Sequence, residues 1–200
     1  MLRIGIYIFD QVEVLDFAGP FEVFTTATRV FLKHEKGTNA PFEVVTIART
    51  KAAIRARAGL VIAPDFTIEN HPKLDALLIP GGVVDEELKS QALREWIQTV
   101  VPTTKLSASV CTGAFLLAHA GLLEGKKATT HWEDIDDLKA MFPNTNVVEN
   151  VRWVDEGHIV TSAGISAGID MSLHLVRRLV DNDLAEKTAR QLEFDWTQNG

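Results

Sequence analysis

Short apolar runs alternate along the chain with segments of helical periodicity. Residues 2–9 (LRIGIYIF) form a brief, isoleucine-rich run that reads as a buried first strand. Residues 42–48, 75–79 and 105–110 have the same character, and the run at 75–79 stops at Pro80-Gly81-Gly82. Residues 53–57 and 60–62 read as short strands around a turn at Gly59, and 127–130 as another short strand. Residues 146–154 and 158–161 predict a strand pair across Asp155-Glu156-Gly157.

Between them lie helical patterns. One opens at Gly19-Pro20 and runs to Val30, with Phe21, Phe24 and Thr28 on one face; proline suits a first helical position, where its missing N–H would be unpaired anyway. Others cover 86–100 (in one piece or two), 112–120 closed by Gly121, 133–141 ending before Pro143, 166–180 and 184–196. Strands alternating with helices imply a mostly parallel sheet covered on both faces, an α/β fold. The most loop-like stretch, 34–40 (HEKGTNA), is too short to divide domains, so residues 1–200 are expected to form a single domain.

Composition narrows the function classes. The chain is 46% hydrophobic and 24% charged, an ordinary balance for a globular protein, and its net charge of −7 argues against a nucleic-acid binder, which needs a basic face. No Lys/Arg cluster reads as a membrane patch, no apolar stretch is long enough to span a bilayer, and the N-terminus lacks a signal-peptide pattern. The single cysteine cannot form an intramolecular disulfide, which predicts the reducing cytoplasm.

That cysteine is the first candidate for chemistry. In KLSASVCTGAF an extended run ends at Cys111, small residues follow, and a helix begins. This is the layout of a nucleophile elbow, where a tight turn lifts the side chain out at the top of the sheet. The helix N-terminus predicts a lowered cysteine pKa, and its amides, that of Thr112 foremost, suit a developing negative charge. A lone cysteine is more often an inert core residue, and the strand–Cys–helix context is what argues otherwise here.

Four other places could contribute. Gly81 and Gly82 follow a buried strand and leave backbone amides open to a ligand, or simply make a strand-to-helix turn. Asp16, flanked by apolar residues, reads either as a helix cap or as a site acid; beside a thiolate it would have to be protonated, with a raised pKa. His131 follows a short strand and could pair with Cys111, or pack under Trp132 and shape the pocket. The small-residue loop SAGISAGID could line a pocket through Ile165 and Ser166, with Asp170 capping or complementing the next helix. The other histidines, His119 and His174 among them, read as helix-face or loop residues. No HExxH, CxxC, GxGxxG or P-loop spacing occurs, so neither a metal nor a nucleotide cofactor is expected.

Five segments in order, LDFAGP with EVF, IPGG, SVCTGA, ATTHW and SAGISAGID, resemble the DJ-1/PfpI (ThiJ/PfpI) superfamily over nearly the whole chain, most closely its isonitrile hydratase branch. The resemblance implies a flavodoxin-like three-layer sandwich, a homodimer, Cys111 as nucleophile, Asp16 as the acid that hydrogen-bonds it, Thr112 beside the nucleophile, and the Gly81 and Gly82 amides at the oxyanion site. It implies cofactor-independent hydration of an isonitrile to an N-substituted formamide. The alternatives are glyoxalase-like thiol chemistry on small carbonyls, or a non-enzymatic ligand- or redox-sensing domain; a peptidase reading is weaker. The motifs also resemble the N-terminal domain of GlxA-type AraC regulators. Only four residues follow Trp196, too few for a helix-turn-helix module, so the chain is expected to be either a free-standing enzyme-like protein or a piece of a longer regulator; residues 191–196 resemble the enzyme tail.

Overall fold

The computed structural model describes residues 1–34 and 39–198, so residues 35–38 of the loop-like stretch lie outside the described residues. The strands of the central sheet are β1 (Leu2–Tyr7), β2 (Phe42–Ala48), β5 (Phe66–Thr67), β6 (Ala76–Ile79), β7 (Leu106–Val110), β10 (Trp153–Asp155) and β11 (Ile159–Ser162). They form one seven-stranded sheet in the order β10-β11-β7-β6-β1-β2-β5. All neighbours are parallel except the antiparallel pair β10–β11. The central strands β6 and β7 are buried at every position, as expected for strands covered on both faces. Two small ladders stand apart: β3 (Ile54–Arg55) with β4 (Val61–Ile62), antiparallel, and β8 (Lys127–Ala128) with β9 (Asn146–Val147), parallel.

The helices fall into two groups. α1 (Val14–His34), α6 (Ala167–Leu179) and α7 (Asn182–Gln191) pack on one another, as do α2 (Asp85–Leu88), α3 (Gln91–Val100) and α4 (Gly113–His119). A shorter helix, α5 (Ile135–Met141), lies beside β9. Among the described residues no helix is long and apolar enough to cross a membrane.

Three departures from the sequence reading matter. α1 begins at Val14, not at Pro20, and Pro20 sits inside it. Phe17, Val23, Phe24, Ala27 and Val30 are buried along this helix, and their packing offsets the hydrogen bond that the proline cannot donate. The run at 146–154 splits, its first part pairing with β8 and only Trp153–Asp155 reaching β11. The predicted helix at 184–196 starts earlier, capped by the Asp181 carboxylate on the Leu184 amide (2.8 Å), and ends at Gln191. The tail then turns back. The Trp196 indole donates to the Asp170 carbonyl (3.1 Å) and the Thr197 amide to the Asp170 carboxylate (2.7 Å).

The chain passes from β1 to β2 on one side and to β6 and β7 on the other. The loops leaving β1 and β6 therefore part at the carboxyl ends of the strands, beside the end of β7, where such a fold leaves a crevice.

Candidate active site

Cys111 occupies that crevice, one residue past the end of β7. Its φ is +56°, a left-handed conformation that a side-chain-bearing residue adopts at a cost of roughly 1–3 kcal/mol. The strain is held by pairing on both sides. The Cys111 amide donates to the Ser162 carbonyl (3.2 Å), and the Cys111 carbonyl accepts from Thr130 Oγ1 (2.9 Å) and the Ala114 amide (3.3 Å). The elbow predicted from the sequence is therefore present, with Cys111 8% exposed at its apex.

Asp16, on the first turn of α1, lies against this apex and is 1% exposed. Its Oδ2 accepts the Gly81 amide (3.1 Å), whereas Oδ1 has no partner of good hydrogen-bond geometry. Burial is the main force on this group and pushes its pKa up to about 7. The Gly81 amide pulls it back, nearby Glu13 raises it again, and the Cys111 thiol and Ile165 amide favour the charged form. A raised acid agrees with the requirement, read from the sequence, that Asp16 hold a proton beside a thiolate. The unpaired Oδ1 is the oxygen best suited to carry it, since an orphaned buried carboxylate oxygen is costly when charged.

The thiol departs from expectation. Burial first, then the Asp16 charge, push the Cys111 pKa up; the Thr112 amide opposes them and Asp134 adds to them. The helix behind Cys111 has only 7 residues, so its dipole is weak against desolvation and a facing carboxylate.

The glycine loop also works differently from the sequence reading. The Gly81 amide is taken by Asp16, and the Gly82 amide by Thr112 Oγ1 (2.9 Å), which in turn donates to the Gly82 carbonyl (2.9 Å). Both amides fix site residues and are not left open as oxyanion donors; the Thr112 amide is the donor directed at sulfur. A Cβ at Gly81 would lie 2.6 Å from the Thr112 nitrogen and 2.9 Å from Asp16 Oδ2, which is why this position has no side chain.

Above Cys111 is a cavity of about 190 Å³ lined by Gly82, Thr112, His131 and Ile165, together with Glu13, Arg57, Glu133 and Asp134. His131 and Ile165 also border a larger cavity of about 540 Å³, where Trp132 and Ser166 lie. Trp132 and Ser166 thus line the neighbouring cavity and not the thiol pocket. Ile165 has φ +51° and turns the chain from β11 into α6. His131 makes no hydrogen bond to Cys111 among the described residues. Its Nδ1 accepts the Glu133 amide (3.3 Å) and stands 3.5 Å from Asp134 Oδ2. Its ring packs on Gly164, where a Cβ would lie 2.1 Å from His131 Cδ2. His131 thus lines the pocket without bonding the thiol.

Sequence reasoning missed Thr130, Arg57, Glu13 and Asp134. Asp134 lies two residues after the ATTHW segment and could have been found there; Arg57 arrives through the β3–β4 excursion, whose strands are legible in the sequence but whose approach to Cys111 is not. Asp170 proves to be a buried acceptor for Arg152 Nε (2.8 Å) and for the tail, not a helix cap. His174 is buried too, with Nε2 2.6 Å from Asp155 and its ring stacked on Trp153. Among the described residues no group of three or more His, Cys, Asp or Glu side chains could hold a metal ion.

A flavodoxin-like parallel sheet with a strained cysteine at a strand-to-helix elbow, and a buried acid facing it, defines a class of α/β proteins. The chain belongs to the DJ-1/PfpI family, which matches residues 2–178. It is 33% identical over 195 residues to the isonitrile hydratase of Pseudomonas putida, covering 96% of this chain and 78% of that protein. It is 28% identical over 154 residues to the HTH-type transcriptional regulator GbdR of Pseudomonas aeruginosa, covering 77% of this chain but only 42% of the regulator. The crystal structure of a ThiJ/PfpI family protein from Pseudomonas syringae is similar with a TM-score of 0.84 at 28% identity, over 98% of this chain and 76% of that one.

Proposed function

We propose that the protein hydrates isonitriles to N-substituted formamides without a cofactor. The observation that carries this reading is the pairing of Cys111 with a buried acid, Asp16, whose pKa is raised to about 7. Their protons are shared across one contact, so the pair titrates as a unit. In the singly ionised pair the charge rests mainly on Asp16; the thiol passes its proton to that carboxylate, and the Cys111 sulfur attacks the terminal isonitrile carbon and forms the C–S bond. Asp16 gives its proton to that carbon, leaving a thioimidate, R–N=CH–S–Cys111. Water adds to the same carbon, losing a proton to the Asp16 carboxylate. The C–S bond then breaks as the hydroxyl proton passes to the nitrogen, and R–NH–CHO leaves with the thiolate and the protonated acid restored. The Thr112 amide stabilises charge at sulfur, while Gly81 and Gly82 hold Asp16 and Thr112 in place.

The 33%-identical hydratase supports the substrate class. The test is incubation with a simple alkyl isonitrile and detection of the formamide by mass spectrometry. Wild type should turn it over and Cys111→Ala should not; equal rates in the two would end this reading.

A second reading is favoured by the regulator relative: a ligand- or redox-sensing domain in which Cys111 is modified but does not turn over. Selective peroxide modification of Cys111 without formamide production would support it.

A further inference from the structure

Acidic side chains dominate the rim of the thiol pocket. Of its lining residues, three are carboxylates (Glu13, Glu133, Asp134) and one is a guanidinium, Arg57. Arg57 is already engaged, 3.3 Å from Glu13. With its carboxylates ionised, the three acids and Arg57 give the rim a net charge of −2. Below the rim lie Cys111 and the 1%-exposed Asp16, with its unpartnered Oδ1.

We propose that this rim selects the substrate by charge, admitting uncharged or cationic small electrophiles and turning away those with a carboxylate, sulfonate or phosphate group. The inference deepens the reading of Cys111 as the reacting atom and rests on it.

Two features make the rim charges effective. The pocket is narrow, about 190 Å³, so a substituent on the reacting molecule must lie among them. The charges also reach the floor, since Asp134 acts on Cys111 and Glu13 on Asp16. In a partly desolvated pocket such interactions are stronger than in bulk water and screened less by salt. Asp134 and Glu133 share the ring of His131, at 3.5 and 3.8 Å from Nδ1.

The experiment uses the intact protein and three methanethiosulfonate reagents of similar size: neutral ethyl, cationic 2-aminoethyl and anionic 2-sulfonatoethyl. In each, the Cys111 sulfur attacks the sulfenyl sulfur, a disulfide forms and methanesulfinate leaves, so no other oxidant is required. Second-order rates are measured at pH 8 by mass spectrometry and divided by the rates with a simple free thiol. Thiol ionisation is common to all three and cancels in their ratios. The cationic-to-anionic ratio should be about tenfold or more in wild type. It should fall towards one in Asp134→Asn and in Glu133→Gln, and rise in Arg57→Gln, a change of opposite sign that steric effects would not give. Raising the salt concentration tenfold should compress it. A wild-type ratio within twofold of one, or one that all three variants leave unchanged, overturns the charge inference while Cys111 remains the reactive centre. If no reagent labels Cys111, the reading on which the inference rests falls with it.

Discussion

Asp16 is the residue at which burial and chemistry are most closely opposed. Folding raises its pKa from an ordinary 3.8 to about 7, chiefly by burial. Between those values the folded state binds a proton that the unfolded chain has released, so stability falls as pH rises through this window. At 1.36 kcal/mol per unit the loss is roughly 4 kcal/mol when complete. Asp16→Asn keeps the shape and removes the titration. Thermal denaturation should therefore show the variant more stable than wild type at pH 8 and close to it at pH 4. The same substitution removes the proton donor, so formamide production should drop by about 100-fold or more. In wild type that activity should rise with pH through about 7, as the Cys111–Asp16 pair loses its first proton, and then level off. A flat profile from pH 5 to 8 would remove Asp16 from the chemistry.

At the scale of elements, the connection from β11 to α6 closes the pocket. Gly164 sits there against the His131 ring, with no room for a Cβ. Gly164→Ala should force that ring outward and destabilise the fold by about 1–3 kcal/mol in urea unfolding, with a several-fold rise in KM. Adding His131→Ala should restore most of the stability, because the two costs arise from one contact. The alternation of strands and helices was legible in the sequence because β1, β6 and β7 are short, apolar and bounded by turn residues. The elbow was legible for the same reason, since β7 runs directly into Cys111-Thr112-Gly113. The start of α1 was not, because Pro20 reads locally as a first helical position, and only the packing of Phe17 and Phe24 carries the helix through it. Nor was the acidic rim, since Arg57, Glu13 and Asp134 meet only when three separated loops converge. The cysteine pKa was misjudged because a sequence shows the helix behind a thiol but not the depth at which the thiol is buried.

For the whole molecule, the family reading extends to assembly. A homodimer is expected, and light scattering of the purified protein should return twice the chain mass; a monomer at micromolar concentration would refute it. The chain spans 78% of the hydratase it resembles and 42% of the regulator, and the family match over residues 2–178 takes in the sheet and the elbow. One exposed side chain gives that region a practical use. Trp132 is 75% exposed at the mouth of the larger cavity, whereas Trp96 and Trp153 are 8% and 4% exposed. Trp196 is half-buried and bonded to the Asp170 carbonyl. The red edge of the protein's fluorescence therefore belongs to Trp132, and a molecule settling beside it shifts that emission towards the blue without any label attached.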